Sequence, residues 1–363
     1  MPLTSYLTLG RSGLRVSPMC LGTMTFGPDW GWGSSIEEST RILDAYIARG
    51  GNFIDTANIY TKGHSEAIIG DHVGRDRAKR DRLVIATKFM GNMYPGDPNG
   101  GGAHRKGIIA ACEQSLRRLR TDYIDLYWMH FSDPHTPIDE TMRTLDDLVS
   151  SGKARYIGFS DTPAWKCVQA QYEAIFRSWA PLVALQIEYS LLERTVEADL
   201  MPMAREMGLG VTPWSPLKGG VLTGKYTRQN VATAEPGRGQ WVKNHLNDRA
   251  FDVIDAITRT ARECGPKVTP AQVALAWVQS RPGVASSIIG ARTLAQLEDN
   301  LAALEVTLDA DQLAQLDAAS KVPLPFPHQF LQNVVDNAQG GTMINGRTSK
   351  VWNLSPQKET ERH

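Results

Sequence analysis

No apolar run in this chain approaches the roughly 20 residues that a membrane-crossing helix needs. Charge of one sign is missing too: 39 Lys and Arg balance 39 Asp and Glu. A nucleic-acid partner would want a basic face and a membrane surface a polybasic one, so neither is expected. Cysteine is sparse. Cys20, Cys112, Cys167 and Cys264 lie far apart, and none forms a C-x-x-C pair. That spacing argues against a zinc site or a disulfide framework and predicts free thiols in a reducing compartment, with the cytoplasm as the default. Met1 to Val16 is polar and glycine-broken, with no signal-peptide core. A G-x-G-x-x-G after the first strand is also absent, which disfavours a doubly wound sheet.

What is present is an ordinary globular balance, 42% hydrophobic and 21% charged over 363 residues, enough for one large domain or two. Leu7 to Val16 reads as a small hairpin around Arg11-Ser12-Gly13. Strand-like apolar runs follow at Met19 to Leu21, Phe53 to Asp55, Leu83 to Lys88 and Tyr123 to Met129. Four more lie at Ala154 to Phe159, Leu182 to Leu185, Leu209 to Thr212 and Ser286 to Ile289. Helical periodicity fills the gaps. Ser35 reads as an N-cap with Glu38 as its capping-box partner, and Ile36, Leu43 and Ile47 share a face. Thr136-Pro137 and Thr269-Pro270 read as cap-then-proline starts, and Thr293 with Gln296 repeats the capping box.

The strands lack polar alternation, so each is buried on both faces, parallel and helix-covered. Eight of them predict an α/β fold, a single (β/α)8 TIM barrel over residues 1–322 with an N-terminal β-hairpin. Residues 323–363 show no clear periodicity. They read as a C-terminal extension packing as a loop on the barrel, frayed from Ser355 onward.

Polar residues stand at or just past the carboxyl ends of successive strands: Asp55, Lys88, His130, Ser160, Gln186 and Ser215. In such a barrel these ends form one face, where active sites of the fold lie. Tyr60 joins them from the loop after the second strand. A phenol is a weak acid, with a reference pKa of about 10. A lysine cation favours its phenolate, a carboxylate holds the lysine, and an imidazole can orient a substrate oxygen. Tyr60, Lys88, Asp55 and His130 therefore predict a proton-donating site for a carbonyl becoming an alkoxide. Reduction also needs a hydride, which no side chain supplies.

The second half offers a place for that source. Ser160, Asp161 and Gln186 can hydrogen-bond a carboxamide, and Trp214 can stack on a flat ring. Ser215 to Lys225 is a glycine-rich loop suited to a pyrophosphate. Gly290-Ala291-Arg292-Thr293 opens a helix and offers an anion site. Gly219-x-x-x-x-Gly224-Lys225 stops short of a P-loop, because Tyr226 replaces the Ser/Thr that holds magnesium. His130-x-x-Asp133-x-His135 has no further support as a metal site, so no metal is expected. The Trp30-Gly31-Trp32 loop either lines the substrate pocket or caps the barrel.

At these residues the chain resembles the aldo-keto reductase superfamily, from Leu9 to about Ser320. The resemblance rests on Phe53 to Tyr60, the strand ending on Lys88, Leu126 to His130, Gln186 to Ser190, Trp214 to Leu217 and Gly290 to Arg292. It looks closest to the bacterial branch that also resembles the potassium-channel β subunits, with Thr136 to Thr141 typical of it. The resemblance implies an NADP(H)-binding barrel with no Rossmann domain. It places a catalytic tetrad on Asp55, Tyr60, Lys88 and His130 and nicotinamide contacts on Ser160, Asp161, Gln186 and Trp214. Thr23, Met24 and Asp55 are further cofactor-binding candidates at the strand ends. The pyrophosphate loop falls on Ser215, Pro216, Leu217, Gly219 and Lys225, with Arg238 a looser match in the covering loop. The 2′-phosphate and adenine contacts fall on Gly290, Arg292, Gln296, Asp299 and Asn300. One departure stands out: Asp161 occupies a position where the family usually has asparagine.

The expected function is NADPH-dependent reduction of a small-molecule aldehyde or ketone to the alcohol, with Tyr60 as proton donor. Two alternatives remain open: an NADP-dependent dehydrogenase of sugars or other alcohols, and a cofactor-loaded redox-sensing binding subunit. Substrate is not written in the sequence, and a homo-oligomer is neither encoded nor excluded.

Overall fold

The protein is described here by a computed structural model covering residues 1–231 and 240–362. Arg238 lies outside the described residues. Two short strands, β1 (Leu7–Thr8) and β2 (Arg15–Val16), pair antiparallel as the expected hairpin. Eight parallel strands then form the barrel: β3 (Met19–Gly22), β4 (Phe53–Asp55), β5 (Val84–Phe89) and β6 (Ile124–Met129), followed by β7 (Ala154–Ser160), β8 (Leu182–Glu188), β9 (Gly210–Trp214) and β10 (Ser287–Gly290). The sheet order is β10-β3-β4-β5-β6-β7-β8-β9. Two backbone hydrogen bonds draw the ring together: Val211 N–H donates to Gly283 O at 3.0 Å, and Ala285 N–H donates to Val211 O at 2.8 Å.

Alternate residues of the strands face opposite ways, which separates two kinds of core. Phe53, Leu126, Trp128 and Ala184 pack inside the ring with Leu9 and Val16 of the hairpin region. Tyr127, Met129 and Leu185 pack outward against the helices. Trp128 is fully buried, and its bulk is accommodated by Gly158 on the next strand. A Cβ on Gly158 would stand 2.4 Å from the indole ring.

The helices follow the periodicity with small corrections. Ser35 caps Ile36–Ala48 as expected, its Oγ accepting from Glu38 N–H at 3.1 Å. The Glu38 carboxylate does not close the box; it accepts from Leu294 N–H at 2.8 Å, tying two helices together. Ile36 is exposed, and the buried face is Ile42, Leu43 and Tyr46. Pro137 is itself the N-cap of Ile138–Ser150, while the Thr136 hydroxyl donates to Asp133 Oδ2 at 2.7 Å. Thr269 and Gln272 form a full capping box at Pro270–Gln279.

The chain divides into two compact units, Met1–Ser320 and Lys321–His363. The first holds every barrel strand and ends with the helix Ala310–Ser320. The second contains the helix His328–Gln339 and an antiparallel pair, β11 (Met343–Ile344) with β12 (Arg347–Thr348). The loop expected there is thus partly helical. Phe330, Leu331, Val334, Val335 and Ala338 carry the helical spacing that a reading of the segment as aperiodic missed. Among the described residues no helix is long and apolar enough to cross a membrane.

Candidate active site

Strand register lines up one face of the ring. Gly290 pairs with Gly22, and Gly22 pairs with Asp55, so the ends of β10, β3 and β4 are level. Past Asp55 the chain runs on beside β5, with Thr56 N–H on Ala86 O at 2.9 Å and Asn58 N–H on Lys88 O at 3.1 Å. It then turns at Tyr60–Gly63, where Thr61 (φ 46°) and Lys62 (φ 59°) adopt the left-handed region. Such a backbone is unfavourable for side-chain-bearing residues and needs support. Thr61 supplies it: its hydroxyl donates to Phe26 O at 2.8 Å and accepts from Ser65 N–H at 2.9 Å. This turn aims Tyr60 back over the strand ends.

Lys88 is fully buried, and its ammonium meets three acceptors. It donates to Asp55 Oδ1, to Thr56 O at 2.8 Å and to the Tyr60 hydroxyl at 3.1 Å. Three N–H donors are therefore matched by three oxygens. The other carboxylate oxygen, Asp55 Oδ2, accepts from Gln186 Nε2 at 3.0 Å. His130 stands edge-on to Tyr60, ring centroids 5.7 Å apart, and its buried Nδ1 has no hydrogen-bond partner among the described residues. Phenol, ammonium, carboxylate and imidazole thus come from one loop and three strand ends.

Burial works against the Lys88 cation, but Asp55 and Tyr60 outweigh it and hold its pKa above the ordinary value. Tyr60 is pushed up by desolvation; Lys88 opposes that, and Asp55 adds to it. The net direction is upward. The lysine pulls the phenol down, but burial is the larger effect, and the carboxylate behind the lysine cancels part of its pull. His130 is pushed down to about 3 by burial and by Lys88, so its imidazole is neutral at ordinary pH.

On the other side of the face, Asp161 follows β7 with φ 40°, and its Oδ1 accepts from Trp214 Nε1 at 3.0 Å. Ser160 and Gln186 are buried at the ends of β7 and β8, paired in register. Thr23 is buried, its hydroxyl on Asp55 O at 3.0 Å, and Met24 is half-buried beside it. Beyond β9, Ser215 has φ 52° and its Oγ accepts from Gly219 N–H at 3.2 Å. Pro216 is buried and Leu217 half-buried. Gly219 (φ 62°) and Gly220 (φ 98°) sit in the left-handed region, where glycine alone is unstrained. A Cβ on Gly220 would stand 3.5 Å from Lys225 Nζ, so that ammonium lies over the turn.

The residues after β10 divide into two groups. Arg292 is half-buried, and its guanidinium has no partner among the described residues, whereas its backbone N–H donates to Gln296 Oε1 at 2.9 Å. Asn300 is buried and donates to Gly290 O at 3.1 Å. Asp299 turns toward the neighbouring helix, accepting from Gln272 Nε2 at 2.7 Å and from the Thr269 hydroxyl.

Sequence reasoning missed the residues that clamp the face. Thr25 Oγ1 donates to Ala291 O at 2.8 Å and Ser34 Oγ to Arg292 O at 3.0 Å, joining the first loop to the last. Isolated Ser and Thr in a loop carry no spacing signal, so only the fold reveals them. The same loop brings Trp30 against Tyr60. An aromatic row runs Trp32, Trp30, Tyr60, His130, Phe131, with neighbouring centroids 5.5, 6.4, 5.7 and 5.6 Å apart. Asp133 organises its own loop, accepting from Ala103 and His135 N–H groups. Among the described residues no three His, Cys, Asp or Glu are grouped to hold a metal.

Comparison with known proteins places this geometry. Residues 18–321 match the model of the Aldo/keto reductase family. The uncharacterized oxidoreductase YrpG of Bacillus subtilis is 41% identical over 321 residues, 86% of this chain and 94% of its own length. Norsolorinic acid reductase of Aspergillus flavus is 34% identical, over 95% of this chain and 87% of its own. Aryl-alcohol dehydrogenase [NADP(+)] of Phanerodontia chrysosporium is 33% identical, over 90% of each. With its eight-stranded barrel and a family match across most of its length, this chain belongs to the aldo/keto reductase family.

Proposed function

We propose that the protein is an NADP(H)-dependent reductase of aldehydes and ketones, with Tyr60 as proton donor. The observation that carries this is the Tyr60 hydroxyl, 3.1 Å from a buried Lys88 ammonium and edge-on to a neutral His130. The residues present fit the cofactor. Arg292 offers a guanidinium with no partner among the described residues, suited to a phosphate ester and so to NADP over NAD. The turn at Gly219 and Gly220, with Lys225 over it, suits a pyrophosphate.

When bound, NADPH supplies the hydride that the chain itself lacks. The chain does the rest. His130, neutral and edge-on to Tyr60, orients the carbonyl oxygen through a ring N–H. Tyr60 donates its proton to that oxygen as the alkoxide forms. Lys88 stabilises the resulting phenolate, and Asp55 and Gln186 fix Lys88 in place. A raised phenol pKa keeps the donor protonated across neutral pH.

The aromatic row beside Tyr60 supports an aryl ketone or aldehyde as the substrate class, in line with relatives named for aryl alcohols and norsolorinic acid. The relative named as a dehydrogenase favours a second reading, oxidation of an aryl alcohol by the same site. Free cysteines support a reducing, cytoplasmic setting. The test is an aryl carbonyl panel followed by NADPH absorbance, with NADH in parallel. Tyr60→Phe is expected to lose about 10²–10⁴-fold in turnover while still binding NADPH. A variant turning over like the wild type would remove Tyr60 from the chemistry.

A further inference from the structure

The fixed charges around the reaction face nearly cancel. Lys88 is paired with Asp55, and His130 is neutral. Glu188, on the next strand end, is paired with Lys218 at 2.6 Å. Asp161 is the exception. Its carboxylate has no salt-bridge partner among the described residues; the neutral indole N–H of Trp214 donates to it at 3.0 Å, and the Ser160 hydroxyl is the other neutral group acting on it. The side chain is exposed at the mouth of the site, yet protein atoms crowd the carboxyl.

Its field reaches the chemistry. Asp161 acts electrostatically on Tyr60, and Lys88 acts on Asp161. A ring placed to react beside Tyr60 therefore lies in the field of this unneutralised acid. An amide at this position would contribute no charge. The oxidised nicotinamide ring is a cation and the reduced ring is neutral, so the two redox forms of one cofactor differ by the charge that Asp161 can sense.

We infer that Asp161 discriminates between the redox forms of the bound cofactor, acting as the counter-ion of the oxidised nicotinamide and making the preference between NADP+ and NADPH depend on pH. This rests on the cofactor reading above and goes a step past it.

The sign follows from linkage. Desolvation pushes the Asp161 carboxyl up to about 6, with Glu188 adding to it; Trp214, Lys88 and the Ser160 hydroxyl pull the other way. The remaining charged group facing it across the adjoining cavity is Glu193. A cationic ring favours the ionised carboxylate and lowers that pKa; a neutral ring shields the carboxylate from water and raises it. Binding NADP+ therefore releases the proton and binding NADPH retains it. Affinity for NADP+ relative to NADPH rises as pH rises through this range. Each unit separating the two complexes gives a change of about tenfold in the affinity ratio. The 2′-phosphate also titrates near pH 6, with a second pKa of about 6, but it is common to both forms and drops out of the ratio.

The experiment is titration of the full chain with NADP+ and NADPH separately, read by quenching of tryptophan fluorescence, between about pH 5 and pH 8. The ratio Kd(NADP+)/Kd(NADPH) is expected to fall severalfold to tenfold with rising pH in the wild type and to stay flat in Asp161→Asn. A flat wild-type ratio, with both forms bound, overturns the inference and leaves the cofactor reading standing. Failure of the wild type to bind either form overturns both. A ratio in Asp161→Asn that still tracks pH assigns the effect elsewhere and also overturns it. Should Asp161→Asn not fold, Asp161→Ser serves the same comparison, removing the charge with a smaller polar side chain.

Discussion

Lys88 is an ammonium shut off from the protein surface and stabilised by the oxygens the fold places against it. Removing one partner of a buried ion pair is costly because the other is left uncompensated, typically by about 3–5 kcal/mol. Lys88→Met should therefore destabilise the protein by that order, in addition to abolishing turnover. Asp55→Asn combined with Lys88→Met should recover part of the loss, since neither charge then remains buried. Denaturant unfolding of the two single variants and the double variant measures the coupling. Additive losses would show that the two charges do not depend on each other. The gathering of these side chains at one face was legible in the sequence because an acid, a lysine, a histidine and a serine each close an apolar run. What was not legible is how far the charges cancel. The upward shift of Tyr60 comes from Asp55 and desolvation acting together against Lys88, and that balance is set by distances, not by spacing.

At the scale of elements, each barrel strand lies close to where the apolar runs predicted it, because strands buried on both faces leave an unbroken hydrophobic signature. Helix starts were read less well. Thr136 and Glu38 have the right residue types for capping, but each side chain finds another partner instead: Asp133 within the same loop in one case, Leu294 N–H across the fold in the other. At Glu38, local pattern gave way to a contact that only the assembled barrel provides. The clamps at Thr25, Ser34 and Thr61 were invisible for the same reason. Within the ring, β6 and β7 depend on one small residue. Gly158→Ala would place a methyl 2.4 Å from the Trp128 ring, and neither neighbour can yield in a packed interior. A loss of about 1–3 kcal/mol is expected, read as a lowered urea midpoint with unchanged m-value. A variant as stable as the wild type would show that Trp128 can move.

At the scale of the whole molecule, the residues proposed to handle protons come from β4 to β6, and most of those proposed to hold the cofactor come from β7 onward, with Thr23 and Met24 following β3 and Asp55 ending β4. The faces meet because β10 lies between β9 and β3. A chain ended at Ser320 contains every barrel strand and is expected to unfold cooperatively and to bind NADPH; one ended at Gly283 lacks β10 and is expected to do neither. Equal cofactor affinity in the shorter chain would show that ring closure is dispensable. The position of β10 also bears on synthesis. As the polypeptide leaves the ribosome, Tyr60 and Lys88 emerge well ahead of Val284, and the seam between Val211 and Val284 cannot form until Val284 has followed them. Until then the growing chain is an open sheet with a bare edge, exposed to any other strand in reach, so competence to bind arrives late and all at once.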